Sequence, residues 1–362
     1  MKIKQIDLSD FRNYETLSLP FDEGVNILYG DNAQGKTNVL EAIYLCGTTK
    51  SHKGSKDREM IRLSREEAHI RLQVEKAGLP HRIDMHLKKN KPKGVAIDGL
   101  PIHRSSDLFG LIHIVFFSPE DLSMIKNGPQ ERRRFLDLEL CQLNKSYLFY
   151  LTNYSRTLLQ RNNLLKQIGI KRELSETISI WDQKLCEYGI GLIQTRRAFI
   201  GEPNELLPGI HERLTGGIEK LFVTYEPNVS EEDFEVKLAM NLERDLFLKA
   251  TGCGPHRDDI GFTINGTNVK HYGSQGQQRT AALSLKLAEI ELVRKRIHES
   301  PVLLLDDVLS ELDRNRQNYL LNSITDLQTV VTCTGLEELV GNRKEKNRIF
   351  HVNNGKIEEM ND

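Results

Sequence analysis

The segment Gly30-Asp31-Asn32-Ala33-Gln34-Gly35-Lys36-Thr37 has the residue spacing of a phosphate-binding loop. An apolar stretch, Val25 to Tyr29, leads into it, and a helix-forming stretch, Asn38 to Cys46, follows it. This order of strand, glycine-rich turn and helix presents backbone N–H groups and a positive helix end to an anion. Lys36 is predicted to reach the β- and γ-phosphates, and the Thr37 hydroxyl to bind Mg²⁺. The loop therefore restricts the chain to α/β folds that bind a nucleoside triphosphate such as ATP.

Composition adds limits but no function of its own. The 50 Lys and Arg residues nearly cancel the 51 Asp and Glu residues, so any nucleic-acid surface must be a local patch. The five cysteines are scattered without metal-ligand spacing, which indicates reduced thiols. The N-terminus lacks the apolar region of a signal peptide, and no apolar run is long enough to span a bilayer. We therefore expect a cytoplasmic protein without a membrane partner.

The hydrophobic pattern predicts three segments, and the first, residues 1–125, is an α/β half with the phosphate loop. Alternating apolar residues between residues 70 and 97, followed by the turn Asp98-Gly99, predict antiparallel strands. The more continuous apolar run from Ile112 to Phe117 predicts a fully buried parallel strand.

The second segment, residues 126–230, has a helical period and predicts a lobe of three amphipathic helices. The first is predicted to run from Gln130 to Gln167, and the third includes Leu221 and Tyr225 in its apolar series. Breaks are predicted near Gly169 and at Pro203 and Pro208. A compact helical lobe is favoured over an extended coiled-coil arm because of the limited length.

The third segment, residues 231–362, returns to α/β. An Asn265-Gly266 turn predicts a hairpin, and a long helix is expected from Gln277 to Arg296. A buried strand from Val302 to Leu305 and a further strand from Val330 are expected next. A hairpin with the turn Asn354-Gly355 is expected to close the fold.

Two acids, Asp306 and Asp307, end the apolar strand that begins at Val302. A phosphate-loop fold needs an acid beside the loop to hold Mg²⁺, and Asp306 fits that role. Asp307 is predicted to orient or deprotonate the attacking water. The alternative is that the two acids merely start a turn. The complete phosphate loop favours the metal-site interpretation over this alternative. Most of the chain separates Lys36 from Asp306, so a large unit is inserted between the two halves of the site.

Ser274 and Gly276 precede the long helix predicted from Gln277, and with Gln277 they form a second candidate anion site. Taken alone, Ser274 is an ordinary helix cap. Its position between the phosphate loop and the acid-ended strand changes that interpretation, because Ser310 and Asp313 follow the strand directly. This order resembles the plan of an ATP-binding cassette (ABC), with a signature motif at Ser274–Gln277 and a D-loop at Ser310–Asp313.

Further details resemble the RecF family of DNA repair ATPases, relatives of the SMC proteins. The matching segments extend along the chain: Leu8 to Tyr14, Gly30 to Ile43, Phe117 to Leu122, Gly128 to Asp137, Gly254 to Asp259, Gly273 to Arg279 and Leu305 to Asp313. The resemblance implies an ABC-type P-loop ATPase head with an antiparallel β subdomain and an inserted helical lobe.

The resemblance also implies a function in recombinational repair and replication restart. An ATP-driven homodimer would clamp double-stranded DNA near single-strand gaps and, with RecO and RecR, promote RecA loading. ATP would act as a switch with weak hydrolysis. Two departures from the wider ABC plan bear on this: the second acid is Asp307 where Glu is usual, and Val331-Thr332-Cys333 has no His to sense the γ-phosphate.

The sequence signals for DNA contacts are less specific than the nucleotide-binding motifs. Arg132 and Arg133 could hold DNA phosphates, or could pair with nearby acids and pack the lobe. Lys89 and Lys91 lie in a cationic hairpin tip that either contacts a duplex backbone or is simply solvated. The segment His256 to Asp259 either serves the nucleotide or orders its own loop. Two other functions remain open: the nucleotide-binding subunit of a membrane transporter, and an ATPase-coupled nuclease.

Overall fold

The computed structural model describes residues 1–122, 124–168, 172–335 and 347–360. The chain divides into two compact units, one formed by Met1–Asp121 with Glu289–Asp362 and the other by Leu122–Ala288. The second unit is thus inserted in the sequence of the first. The three predicted segments, 1–125, 126–230 and 231–362, remain a prediction about domain organisation.

The described strands and helices follow in chain order. The strands are β1 (Lys2–Phe11), β2 (Tyr14–Pro20), β3 (Val25–Tyr29), β4 (Glu67–Lys76), β5 (Leu79–Lys88), β6 (Lys91–Ile97), β7 (Leu100–Pro101), β8 (Ile114–Phe117), β9 (Leu221–Glu226), β10 (Asp259–Ile264), β11 (Thr267–Asn268), β12 (Val302–Asp306), β13 (Thr329–Cys333), β14 (Asn347–Asn353) and β15 (Lys356–Glu359). The helices are α1 (Lys36–Thr48), α2 (Asp57–Met60), α3 (Pro119–Leu122), α4 (Pro129–Leu143), α5 (Lys145–Ile168), α6 (Ile178–Gly201), α7 (Leu207–Thr215), α8 (Phe234–Met240), α9 (Leu242–Leu248), α10 (Val269–Tyr272), α11 (Gln275–Ile297) and α12 (Arg314–Ser323).

A mostly parallel sheet with the order β15-β14-β3-β13-β12-β8 forms the centre of the first unit. Every residue of β8, β12 and β13 is buried, as the continuous apolar runs predict. In the parallel register Tyr29 lies opposite Cys333, and Asp306 lies opposite Thr332. The carboxyl ends of β3, β12 and β13 therefore meet at one edge of the sheet, where α/β folds bind ligands.

An antiparallel sheet with the order β2-β1-β4-β5-β6-β7 forms the rest of the first unit's framework. The predicted strands around residues 70–97 are confirmed as β4, β5 and β6, and Asp98 and Gly99 form the next turn with φ of 52° and 83°. Helix α1 contacts strands of both sheets, which explains why it is buried on nearly all sides.

The predicted single helix from Gln130 to Gln167 is wrong, because the chain breaks at Asn144 into α4 and α5. Asn144 has an extended backbone (φ −142°, ψ 105°), and its side-chain oxygen accepts a hydrogen bond of 3.1 Å from the Tyr147 N–H. An Asn side chain that satisfies the backbone of the following turn favours a cap over a continuous helix. The apolar spacing continues across the break, and so it concealed this boundary.

The third predicted helix is also wrong in its second half. Helix α7 ends at Thr215, and Gly216 and Gly217 follow with φ of 73° and 91°, a conformation that glycine adopts without strain. Leu221 and Tyr225 then lie in strand β9, which pairs with β10 in a small sheet of the second unit. Residues four apart fit the same face of a helix or of a strand, so their spacing alone could not decide.

Other predicted elements are confirmed. They are the long helix α11, the hairpin β10–β11 at Asn265-Gly266, the strand β12 and the closing hairpin β14–β15. Pro203 separates α6 from α7, whereas Pro208 lies in the first turn of α7, where the missing N–H is tolerated. The predicted break at Gly169 lies outside the described residues. Of the helices that the structure describes, none is both long and apolar enough to cross a membrane.

Candidate nucleotide-binding site

The phosphate loop connects the end of β3 directly to the first residue of α1, as predicted. Gly30 has a φ of 150°, and a Cβ atom there would lie 2.3 Å from the carbonyl oxygen of Val352. Gly35 caps α1 with a φ of 118°, and a Cβ there would lie 2.5 Å from the Asn13 side-chain nitrogen. Both glycines are thus required by backbone conformation and by close neighbours.

Lys36 lies at the start of α1, and only 4% of its surface is exposed. Its ammonium donates hydrogen bonds to the carbonyl oxygens of Gly30, at 2.6 Å, and Asp31, at 3.0 Å. These bonds hold the positive charge of Lys36 inside the phosphate loop. An ammonium has three donors in all, so it can bind a phosphate oxygen when one enters the loop.

Two distant segments support the back of the loop. The Asn13 side chain donates to the Gln34 carbonyl at 2.8 Å, and the Tyr14 hydroxyl donates to the Gly35 carbonyl at 3.1 Å. From the closing hairpin, the Asn354 N–H donates to the Gln34 side chain at 2.7 Å. These contacts fix the loop before any ligand arrives. No local sequence pattern indicated them.

Behind the loop, Arg12 forms a two-point ion pair with Glu41 of α1, with N–O distances of 2.7 and 2.8 Å. Burial acts to raise the pKa of Glu41, but hydrogen bonds from Arg12 and Ser51 outweigh it and hold that pKa below its usual value. The same guanidinium donates to the Ser55 hydroxyl and the Glu59 carbonyl. Arg12 therefore fixes the segment after α1 against the β1–β2 turn.

The two predicted metal ligands, Thr37 and Asp306, lie in direct contact although 269 residues separate them in the sequence. An Asp306 carboxylate oxygen accepts hydrogen bonds from the hydroxyls of Thr37, at 2.7 Å, and Thr332, at 2.8 Å. Burial raises the pKa of Asp306, and the two hydroxyls only partly offset it. A hydroxyl and a carboxylate are the hard oxygen donors that suit Mg²⁺, and a cation there would favour the ionised carboxylate.

Asp307 turns away from the strand with a φ of 50°, a left-handed conformation that Asp tolerates better than most residues. Its N–H donates to the Thr332 hydroxyl at 2.9 Å, and its side chain is half-buried. Thr332 therefore holds both acids at once, through its hydroxyl hydrogen and its lone pair. The sequence showed Thr332 only as a residue without a following His, whereas the register of β12 and β13 gives it this role.

In the signature segment, Ser274–Gln277, Ser274 and Gln277 form a reciprocal cap at the start of α11. The Ser274 N–H donates to the Gln277 side chain at 2.8 Å, and the Gln277 N–H donates to the Ser274 hydroxyl at 3.2 Å. Ser274 and Gly276 are exposed, and Gln277 also donates to Glu219 at 2.7 Å. The ordinary capping role is therefore real, and it leaves the segment open to solvent.

The predicted D-loop continues from the acid strand. The Ser310 hydroxyl donates to the Asp307 carbonyl at 2.8 Å. Asp313 caps α12 by accepting from the N–H groups of Asn315 and Arg316 at 3.0 and 3.1 Å. The backbone of the second acid is therefore coupled to this loop, so displacing the loop would displace Asp307.

Of the four candidate DNA contacts, Arg132 does not fit its predicted role. It is 1% exposed, it pairs with Asp259 at 2.6 Å, and it donates to the Met124 carbonyl at 2.9 Å. A guanidinium satisfied inside the second unit cannot reach a phosphate. Arg133 is half-buried and donates to the Asp258 carbonyl, so it is only partly available.

The hairpin tip remains accessible. Lys89 is exposed and paired with Glu66 at 2.9 Å, and Lys91 is exposed at the start of β6. Exposed ion pairs of this kind contribute little and exchange readily for another anion. The exposed tip is therefore compatible with both interpretations, a contact with the DNA backbone and a solvated loop.

The His256 to Asp259 segment orders the second unit. Asp258 is 1% exposed and accepts from Arg196 at 2.8 Å and from the Asn228 N–H at 2.8 Å. His256 contacts the Tyr154 hydroxyl at 2.6 Å, and burial lowers the pKa of its imidazole to about 4. The imidazole is therefore neutral near pH 7. The segment connects parts of the second unit through its hydrogen bonds.

A family model described as the RecF/RecN/SMC N terminal domain matches residues 2–358. The chain is 63% identical over 358 residues to the DNA replication and repair protein RecF of Lachnoclostridium phytofermentans, with 99% of each chain covered. It is also similar to a solved structure of the recombination mediator protein RecF-ATP in the RecFOR pathway, with a TM-score of 0.92, 36% identity, and 99% and 97% of the two chains covered. An Smc head domain derived from Pyrococcus furiosus shares the fold, with a TM-score of 0.57, 15% identity, and 99% and 96% of the two chains covered.

Proposed function

This chain belongs to the RecF family, and on that premise we propose that it is an ATP-dependent DNA-binding protein of DNA replication and repair. Its fold is the ABC-type ATPase head that RecF and SMC proteins share, which confirms the predicted fold class. The observation that carries the proposal is the contact between Thr37 and Asp306, since it assembles both halves of a nucleotide site from opposite ends of the chain. The relative of known structure is named as an ATP complex.

In the proposed reaction the phosphate loop binds the triphosphate, and Lys36 compensates the charge of its β- and γ-phosphates. Thr37 and Asp306 would hold Mg²⁺, which would supply positive charge to the triphosphate. Asp307 orients or deprotonates the attacking water, and Thr332 keeps both acids in place. Asp307 has one methylene fewer than the usual Glu, so its carboxylate reaches less far, and we expect slow hydrolysis that serves as a switch.

One copy of the chain has one phosphate loop and one signature segment, so we expect ATP to join two copies. In that dimer, Ser274 of one copy meets the γ-phosphate bound by the other. The dimer clamps double-stranded DNA near single-strand gaps and acts with RecO and RecR to load RecA in the cytoplasm. The similarity to RecF proteins of DNA replication and repair and of the RecFOR pathway favours this function over a transporter subunit or a nuclease.

DNA binding should depend on ATP and on salt. Because the net charge is −1, a single copy offers little attraction for DNA, whereas a dimer aligns two copies of any basic patch. Fluorescence anisotropy with a gapped duplex should show tight binding only with ATP. If about six phosphates are contacted, affinity should fall about a thousandfold between roughly 50 and 200 mM salt.

The control for this assay is the Lys36→Ala variant, which should bind DNA with ATP no better than the wild type does without it. A blunt duplex and the gapped duplex are compared in parallel. Equal affinity of the wild type with and without ATP would show that the clamp is wrong.

The two acids should separate in function. Asp306→Asn should weaken Mg²⁺-dependent ATP binding by at least about tenfold, because a charged metal ligand is replaced by a neutral one. Asp307→Asn should leave ATP binding unchanged but lower the hydrolysis rate by about a hundredfold or more, so that ATP-induced dimers persist. Calorimetry and phosphate release measure the two effects. Hydrolysis by Asp307→Asn at the wild-type rate would remove Asp307 from the mechanism.

A further inference from the structure

The solvent face of the antiparallel sheet in the first unit contains a cluster unrelated to the nucleotide site. Glu67 and His69 lie on β4, and His86 lies directly opposite His69 on β5. The two imidazole rings are stacked, with centroids 3.9 Å apart and an interplanar angle of 26°. All three side chains are therefore gathered at one point on the sheet, and we call them the His–Glu cluster.

The ligand atoms of the His–Glu cluster converge. One Glu67 oxygen lies 2.9 Å from His86 Nε2, and the other lies 3.8 Å from His69 Nε2. Each pair of the three potential ligand atoms lies within 4.8 Å. In a tetrahedral zinc site with bonds of about 2.0–2.1 Å, neighbouring ligand atoms are roughly 3.3 Å apart. The separations in the cluster are therefore within about 1.5 Å of that spacing.

The nearby carboxylate of Asp84 has different hydrogen-bond partners from that of Glu67. Asp84 accepts from the guanidinium groups of Arg71 and Arg82, each at 2.7 Å, so it already has strong partners. Glu67 instead faces the two imidazoles, with one of its oxygens 2.9 Å from His86 Nε2. Glu67 is thus a carboxylate whose hydrogen-bonding neighbour is itself a side chain of a metal-ligating type.

The surroundings leave room for an ion and for a further ligand. In the register of the sheet, His69 lies opposite the small residue Ser9, and His86 lies opposite Gly94. A Cβ atom on Gly94 would have only the His86 Cβ as a neighbour, at 3.9 Å. A groove of about 460 Å³ runs along this row and is lined by both imidazoles. Three protein ligands beside an open groove match a site with an exchangeable fourth position.

We propose that Glu67, His69 and His86 form a site for a first-row transition ion, with Zn²⁺ as its natural occupant. Two imidazole nitrogens and one carboxylate suit Zn²⁺, Ni²⁺ or Cu²⁺, whereas Mg²⁺ prefers oxygen ligands alone. The ion would connect β4 to β5, and its fourth position would accept water or a ligand from the groove. This site is separate from the proposed nucleotide function and does not depend on it.

The test is calorimetric titration of the untagged full chain with Zn²⁺, without nucleotide and with excess Mg²⁺ to occupy the oxygen site. All five cysteines are buried, so they do not compete in the folded protein. We expect one saturable equivalent in the wild type. His69→Ala and His86→Ala should each weaken it at least about tenfold, and Glu67→Gln should weaken it while preserving the side-chain size.

His81→Ala is the matched control, because His81 lies on the same sheet and contacts Asp98 at 2.9 Å without a second His. It should keep the wild-type affinity. Zn²⁺ should also raise the melting temperature of the wild type and of His81→Ala but not of His86→Ala, and without Zn²⁺ all three should melt alike. The proposal is overturned if the wild type shows no saturable binding, if His86→Ala binds as well as the wild type, or if His81→Ala loses the ion too. Any of these results would make the His–Glu cluster an ordinary ion pair.

Discussion

Lys36→Ala should lower the affinity for ATP by about a hundredfold or more. The ammonium is nearly inaccessible to water and lies inside the loop, so its attraction for phosphate is weakly screened. Losing charged hydrogen bonds worth about 3 kcal/mol in sum corresponds to roughly that factor. Calorimetry measures the binding, and thermal unfolding should show that ATP no longer raises the melting temperature of the variant.

The structure supplies a control for this experiment. Lys50 is exposed just after α1, at the end of the helix opposite the loop, so Lys50→Ala removes one positive charge without touching the loop. It should bind ATP like the wild type. Lys36 also donates to the loop carbonyls of Gly30 and Asp31. The Lys36→Ala variant must therefore first be shown to unfold cooperatively. A cooperatively folding Lys36→Ala protein with wild-type affinity would refute the assignment of the loop.

Ser274→Arg should abolish ATP-induced dimerisation while leaving ATP binding nearly unchanged. Ser274 is exposed at the start of α11, and a bulky cation there would occupy the helix end where the partner's γ-phosphate should dock. Loss of the reciprocal cap costs about 1 kcal/mol, which is too little to unfold the chain. Light scattering with ATP should report a monomer, and hydrolysis should fall about a hundredfold or more because the shared site cannot form.

Two controls separate the signature function from the loss of a helix cap. Ser274→Thr keeps the hydroxyl and should dimerise, and Asn144→Ala removes a cap in the helical lobe and should dimerise as well. Mixing Ser274→Arg with Lys36→Ala should restore at most one working site, built from Lys36 of the first variant and Ser274 of the second. An ordinary ATP-induced dimer of Ser274→Arg would show that Ser274 is only a cap.

Sequence-based prediction succeeded where short stretches of chain have strong local preferences. The glycine spacing of the phosphate loop, the apolar run of β12 and the Asn-Gly turns each limit the backbone within a few residues. It failed at Asn144 and at Leu221, where an uninterrupted apolar spacing fitted more than one structure. The choice there depended on an Asn side-chain cap and on pairing with β10, which lies far along the sequence.

The nucleotide-binding site likewise has features that the sequence predicted and features that it could not predict. Motif order alone paired Thr37 with Asp306, because both types of residue have fixed places in a phosphate-loop fold. The sequence could not show that Thr332 holds both acids or that Asn13 supports the loop, since these roles depend on strand register and on a turn in another sheet. Nor could it show that Arg132 is buried, because an Arg in a charged helix looks the same whether it faces water or a partner.

The amino-acid sequence by itself determined the local elements of this protein and the order of its nucleotide-binding motifs, because these follow from backbone preferences and side-chain chemistry over a few residues. The tertiary structure decided which distant groups meet. It brought Asp306 to Thr37, used Arg132 and Asp258 to order the second unit, and gathered Glu67, His69 and His86 on one sheet face. Such meetings are set by the register and packing of elements far apart in the chain.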